Sequence, residues 1–194
     1  MPDETKLAEF TAWCAKHVRG DEKGDAQLFL DRLFQAFGHA GLKEAGATLE
    51  FRVTKAAEAG GGTAFADLVW KPVVLIEMKK RGTDLQKHYR QAFDYWLRLV
   101  PNRPRYVVLC NFDEFRIYDF DTDLDTPKDT VALKDLPERW GPLEFLAPGK
   151  DKQLLICHVS TKLTNSFKQV SPKPGWSCEF MLMAIYSLGA CWKK

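Results

Sequence analysis

The chain has little net charge and no paired cysteines. Its formal charge of +2 over 194 residues is too small for a protein coated in basic residues, so a nucleic-acid-binding surface would need local clustering of Lys and Arg. The five cysteines are odd in number and contain no C-x-x-C pair, which argues against a disulfide framework or a zinc site. A reducing cytosol is the compartment that this cysteine usage favours.

Long apolar segments are also lacking. The polar, acidic N-terminus leads into no short apolar segment of the kind that a signal peptide needs. The stretch from Phe180 to Trp192 is interrupted by Ser187 and Gly189 and is too short to cross about 30 Å of hydrocarbon. We therefore expect no membrane segment and a cytoplasmic location.

What is present is the composition of an ordinary globular protein, 45% apolar and 28% charged. Hydrophobic periodicity predicts eight elements. They are helices around Leu7–His17 and Asp25–Phe37, strands Leu49–Val53, Phe65–Trp70 and Val73–Lys79, one long helix Leu85–Val100, and strands Tyr106–Cys110 and Phe115–Phe120. This order is typical of an α/β (α+β) fold with a mixed central β-sheet flanked by helices.

The last predicted strand, Phe115–Phe120, is expected at an edge of the sheet. Residues 121–150 are rich in Asp, Thr and Pro and are predicted to form a surface excursion. Six apolar residues should anchor it to the core, namely Leu133, Leu136, Trp140, Leu143, Phe145 and Leu146.

Two acids and a lysine form the most informative pattern. Glu77 and Lys79 end an apolar strand, and alternate residues of a strand share a face, so both side chains should point the same way. Asp67 joins them only if the hairpin turn has an odd length, such as Trp70–Pro72 or Lys71–Val73. An even turn would send Asp67 to the other face.

Carboxylates held a few ångström apart repel each other, and a divalent cation relieves that repulsion. Mg²⁺ suits Asp67, Glu77 and the backbone carbonyl of Met78, because it takes oxygen ligands and keeps several waters. Lys79 would stabilise developing charge on a phosphate or orient the attacking water. The alternative is a solvated cross-strand pair. A basic cluster, Lys80, Arg81, Lys87 and Arg90, follows the motif and is predicted to bind DNA.

The pattern Asp67-x9-Glu77-Met78-Lys79 lies after paired helices and before a helix and the strand Tyr106–Cys110. From about Trp13 to Pro148 the chain resembles the N-terminal endonuclease domain of MmeI-like restriction-modification enzymes. That resemblance implies a PD-(D/E)XK, restriction-endonuclease-like fold and Mg²⁺-dependent cleavage of double-stranded DNA by a type II enzyme. It also implies that Asp67, Glu77 and Lys79 are the catalytic residues.

Three further residues match positions that such nucleases use. Glu22, just before the second helix, lies where an additional acid is often placed, although an acid there also favours a helix N-terminus. Gln91 and Tyr95, four residues apart, lie where related enzymes place a helical glutamine beside the active site. They could equally form a solvated helix face.

The family's later domains are not evident in the sequence. Full-length relatives continue into a helical connector, an adenine methyltransferase with an N-P-P-Y-type motif and a target recognition domain, and no N-P-P-[FY] occurs here. We predict an endonuclease domain over 1–149 and a truncated or frameshifted connector remnant over 150–194. The alternative function is a catalytically silent fragment that binds DNA or docks on a separately encoded methyltransferase or recognition subunit. Neither the DNA target nor the oligomeric state is predicted.

Overall fold

A computed structural model describes residues 2–54 and 62–149 of the chain. The predicted connector remnant at 150–194 therefore lies outside the described residues, and its assignment stays a prediction. The helices are α1 (Glu4–His17), α2 (Glu22–Ala36), α3 (Leu42–Ala45) and α4 (Tyr89–Arg98). The strands are β1 (Thr48–Thr54), β2 (Thr63–Trp70), β3 (Val74–Met78), β4 (Tyr106–Cys110), β5 (Glu114–Asp119) and β6 (Asp129–Ala132).

The first two helices begin at aspartate caps. The side chain of Asp3 accepts a hydrogen bond from the backbone N–H of Thr5, and Asp21 does the same for Lys23. These bonds satisfy N–H groups that have no partner inside a helix. Both predicted helices are confirmed, and within the two described ranges no helix is long and apolar enough to cross a membrane.

The six strands form one mixed sheet in the order β1-β2-β3-β4-β5-β6. All neighbouring strands are antiparallel except β3 and β4, which are parallel. Parallel neighbours need a crossover connection, and the segment containing α4 supplies it. The predicted fold class, a mixed sheet flanked by helices, is confirmed.

The sheet separates two apolar cores. Val74, Ile76 and Met78 of β3 pack in the core that contains α1 and α2, whereas Leu75 packs in the core that contains α4. All of β3 is buried, and so are Val107–Cys110 of β4. Because apolar burial contributes about 1.5–3 kcal/mol for each such side chain, these two strands anchor the centre of the fold.

The predicted long helix Leu85–Val100 was wrong in extent. Leu85–His88 is a 3-10 turn, and the α-helix proper covers only Tyr89–Arg98. Val100 is 62% exposed and does not continue the apolar face. The residue before a proline is sterically disfavoured in helical conformation, and Pro101 imposes that limit on Val100.

The prediction that β5 lies at an edge was also wrong, because β6 pairs with its outer side. β6 has four residues, and only Val131 is buried. So short a segment shows no clear alternation of apolar and polar residues, and the sequence therefore did not predict it. The helix α3 was not predicted either, because its four residues are also too few to show a periodic pattern. The predicted anchors of the 121–150 excursion are confirmed, with five of them buried and Trp140 packed against the core.

Candidate active site

The turn between β2 and β3 decides where Asp67 lies. Three residues, Lys71–Val73, connect the strands, and Trp70 pairs with Val74 and Leu68 with Ile76. One further step along this register places Asp67 opposite Glu77. The backbone N–H of Met78 donates to Oδ2 of Asp67 over 2.7 Å. The predicted odd-length turn is confirmed, at the second of the two proposed positions, Lys71–Val73.

Lys79 lies directly after β3 and is held by three acceptors. Its Nζ donates to Oε1 of Glu77 over 3.0 Å, to the carbonyl of Met78 over 2.7 Å and to Oε1 of Glu22 over 3.2 Å. Its backbone N–H donates to the carbonyl of Cys110 over 2.7 Å. Lys79 is 5% exposed and Glu77 only 2%, so the pair is buried and is not the solvated cross-strand pair of the alternative interpretation.

Glu22 contacts Lys79 from α2, which packs in the opposite core from α4. It is the first residue of α2, whose start is set by the Asp21 cap, and its side chain is 40% exposed. The carboxylate therefore does more than favour a helix N-terminus, since it also contacts the buried ammonium of Lys79.

Gln91 and Tyr95 approach from α4. The amide Nε2 of Gln91 donates to Oε1 of Glu77 over 2.8 Å and to the hydroxyl of Tyr95 over 3.0 Å. The i, i+4 spacing aligns the two side chains on one face of the helix. That face lies against Glu77 and is not a purely solvated one.

Burial raises the pKa of Glu77 to about 7, and the neighbouring carboxylate of Asp67 adds to the effect. The ammonium of Lys79 and, to a smaller extent, the backbone N–H of Asp67 act in the opposite direction. Burial also raises the pKa of Asp67. Although burial alone would lower it, Glu77 and Glu22 raise the pKa of Lys79, which stays charged. One lysine therefore faces three acids.

The donor set fits a divalent cation. Oε2 of Glu77 is buried and has no hydrogen-bond partner of standard geometry, which leaves an acceptor for a ligand. Among the described residues, no three His, Cys, Asp or Glu side chains form a complete metal cluster. Mg²⁺ needs no such cluster, because one or two carboxylates with waters and phosphate oxygens suffice. The carbonyl of Met78 already accepts a hydrogen bond from Lys79, so as a ligand it would use its second lone pair.

The predicted DNA-binding residues differ in their surroundings. Arg81 donates to the carbonyl of Val18 over 3.0 Å and lies 3.0 Å from a carboxylate oxygen of Asp113, so its guanidinium is engaged within the protein. The exposed side chains of Lys87 and Arg90 lie 3.9 Å and 3.2 Å from aspartates on their own segment. Lys80 is exposed and forms no ion pair in the described part of the chain. A DNA contact by any of the four stays a prediction.

The sequence patterns missed Glu50. The β1–β2 register places it opposite Asp67, its φ of +48° is rare for a side-chain-bearing residue, and its carboxylate accepts a hydrogen bond from Gln27 over 2.9 Å. Its charge also raises the pKa of Asp67. Strand alternation alone marks Glu50 as one more exposed residue, and only the pairing of β1 with β2 brings it close to the acids.

Comparisons with known proteins identify the family. A search of curated protein sequences found no significant match. Among solved structures, the chain is similar to one described as a cryo-EM structure of a DrdV–DNA complex, with 15% identity and a TM-score of 0.46 over 74% of this chain. The match spans only 14% of that chain's length. The family model described as MmeI, N-terminal domain, matches residues 2–168, which is most of the sequence. The chain therefore belongs to the MmeI N-terminal domain family.

Proposed function

We propose that this chain is a Mg²⁺-dependent DNA endonuclease domain of a type II restriction-modification enzyme. The observation that carries the proposal is the convergence of Asp67, Glu77 and Lys79 at the end of β3, where a buried oxygen of Glu77 has no hydrogen-bond partner of standard geometry. Buried charges are normally paired or coordinate metals. Membership of the MmeI N-terminal domain family supports DNA as the substrate.

Each residue has a role that its position allows. Asp67 and Glu77 would hold Mg²⁺, which when bound polarises a phosphoryl oxygen and lowers the pKa of a bound water. The ammonium of Lys79, fixed by Glu77 and Glu22, would stabilise the charge that develops on the phosphate. Gln91 would keep the Glu77 carboxylate in place through its 2.8 Å hydrogen bond.

Base recognition would belong to other parts of a full-length enzyme, as the resemblance implies. The domain should then bind DNA mainly through phosphates, with steep salt dependence, because phosphate contacts carry no sequence information. Any cleavage should be slow and without sequence preference.

A plasmid-nicking assay tests this proposal. The full chain is titrated with Mg²⁺ against supercoiled DNA, beside Asp67→Ala, Lys79→Gln and the matched surface control Lys43→Ala. We expect nicking by the wild type and the control, and loss of nicking in EDTA. The two site variants should nick at least about a hundredfold more slowly than the wild type. Circular dichroism confirms that each variant is folded.

Equal nicking by the wild type and the site variants would identify the activity as contamination and overturn the enzyme hypothesis. The alternative would then be a catalytically silent DNA-binding or docking module. A gel-shift assay with the same proteins separates those two, since a docking module needs no affinity for DNA.

A further inference from the structure

Two short segments run side by side at the edge of the candidate active site. The loop before α2 lies against the residues that follow β3. The backbone N–H of Arg81 donates to the carbonyl of Gly20 over 3.0 Å, and Glu22 contacts Lys79 over 3.2 Å. The side chain of Arg81 secures the loop further through the carbonyl of Val18. This pairing brings 18–23 and 79–81 into one surface.

Three cations on this surface are exposed, namely Arg19, Lys23 and Lys80. None of them forms an ion pair with another described residue. The other predicted DNA-binding residues do have acidic partners, since Arg81 pairs with Asp113, Lys87 with Asp84 and Arg90 with Asp94. A cation outside ion-pair distance of an acid gives up less when it binds a phosphate, although the charge of Arg19 does act on Asp25 at longer range.

The acids at the start of α2 have partners within the protein. Oδ2 of Asp25 accepts from the backbone N–H groups of Arg19, Gly20 and Asp21 over 2.7–3.1 Å. Oδ1 of Asp21 accepts from the N–H of Lys23, and Glu22 contacts Lys79. Backbone N–H groups hold Asp21 and Asp25, and Lys79 holds Glu22, whereas the side chains of the three cations are exposed. Residues 18–23 and 79–81 together contain five cations and two acids, so their net charge is positive.

We propose that Arg19, Lys23 and Lys80 form a phosphate-contacting strip that positions the backbone of duplex DNA beside Lys79. The strip deepens the proposed function and rests on it. The cations offer positive charge and N–H donors to phosphate oxygens, and such contacts carry no sequence information by themselves.

Fluorescence anisotropy with a short labelled duplex of arbitrary sequence tests the strip. The full chain is measured in EDTA, so that no cleavage occurs, over a series of salt concentrations. Arg19→Ala, Lys23→Ala and Lys80→Ala should each weaken binding about three- to tenfold at low salt and lower the salt slope by about one. Lys23→Arg should bind as the wild type does.

Two sets of comparators make the test specific. Lys43→Ala removes an exposed, unpaired lysine from α3, which Asp31 ties to the C-terminal half of α2, away from the site. It should leave affinity unchanged. Lys87→Ala and Arg90→Ala should have smaller effects than the strip variants, because their aspartate partners already neutralise them. Thermal melts establish that all variants are folded.

The outcomes separate this proposal from the proposed function. If the wild type binds duplex DNA and the three strip variants match it, the strip is wrong and the DNA substrate stands. Equal or larger losses in Lys87→Ala and Arg90→Ala would move the DNA path to α4 and likewise overturn the strip. A wild type with no affinity for DNA at any salt concentration would overturn both.

Discussion

At the scale of single residues, Glu77 combines features that oppose stability. Glu77 is 2% exposed, its carboxylate faces Asp67, and one carboxylate oxygen lacks a hydrogen bond of standard geometry. A buried carboxylate that is only partly compensated costs free energy, and the raised pKa expresses that cost. Residues of this kind are expected where chemistry has priority over stability.

Replacing Glu77 by glutamine should therefore stabilise the metal-free fold while abolishing nicking. At about pH 8 and in EDTA, Glu77→Gln should raise the free energy of unfolding by roughly 1–3 kcal/mol, because burial and Asp67 disfavour the ionised carboxylate. Lys79 keeps the carboxylate of Glu22 and the carbonyl of Met78 as acceptors. The glutamine amide can also donate toward Asp67. Urea denaturation measures the change.

Glu138→Gln is the control for this substitution. Glu138 is exposed, and its neutralisation should change stability by less than about 0.5 kcal/mol. A Glu77→Gln protein less stable than Glu138→Gln would show that the ion pair with Lys79 outweighs the cost of burying the carboxylate.

At the scale of elements, the loop between α1 and α2 sets the position of Glu22. Gly20 has a φ of +85°, and a Cβ at this position would overlap the Cβ of Arg81. Glycine thus permits both the left-handed backbone and the close approach of the loop to Arg81. The distance from Glu22 to Lys79 depends on this contact between segments some 60 positions apart in sequence.

Gly20→Ala and Gly46→Ala form a matched pair that separates the two effects. Gly46 has nearly the same φ, +82°, but nothing lies within 4 Å of a Cβ there. Both substitutions should cost about 1–2 kcal/mol for the left-handed backbone, and Gly20→Ala about 1–3 kcal/mol more for the clash. Urea denaturation reports stability and the plasmid assay reports nicking.

Only Gly20→Ala should also reduce nicking, because it pushes Glu22 away from Lys79. Equal effects of the two substitutions on stability and on nicking would show that the contact between Gly20 and Arg81 does not position the site.

At the scale of the whole molecule, one buried carboxylate, that of Asp119, links three segments of the sheet at the end away from the site. Asp119, at the end of β5, accepts two hydrogen bonds of 2.8 Å from Arg105 and one of 3.0 Å from Lys128. Although burial alone would raise it, these partners lower the pKa of Asp119. The carboxylate connects the segments that lead into β4 and β6.

Because the pKa of Asp119 is lowered in the folded state, the stability that its ion pairs contribute depends on pH. It is fully present above the pKa of an unfolded aspartate, about 3.9, and is lost as pH falls through the lower value of the folded state. Asp119→Asn should therefore destabilise the fold at neutral pH by about 2 kcal/mol, less than for fully buried pairs because Arg105 and Lys128 are partly exposed. The difference from wild type should shrink below about pH 4.

Asp121→Asn is the matched control for acid stability. Asp121 lies 3.5 Å from Arg105 but is 63% exposed, so its loss should change little at any pH. Thermal melts over a pH series measure both variants. If the stability difference between Asp119→Asn and the wild type stays constant down to pH 2, the ionised Asp119 carboxylate is not the source of that stability.

The sequence by itself determined the features that arise locally along the backbone. Apolar runs predicted β3 and β4, and the two-residue period of a strand placed Glu77 and Lys79 on one face. The same patterns, with the family resemblance, indicated the acids and the lysine of the candidate site. Short elements such as α3 and β6 escaped because a few residues carry too little periodicity to be detected.

Only the tertiary structure decided which distant segments meet. The three-residue turn sets the register that puts Asp67 opposite Glu77, and strand pairing brings Glu50 to the same level. Packing of α2 against the end of β3 joins Glu22 to Lys79 and engages Arg81 inside the protein. Local patterns cannot contain these contacts, because they form when apolar faces of remote elements are buried together and the backbone and side-chain groups at their ends find partners.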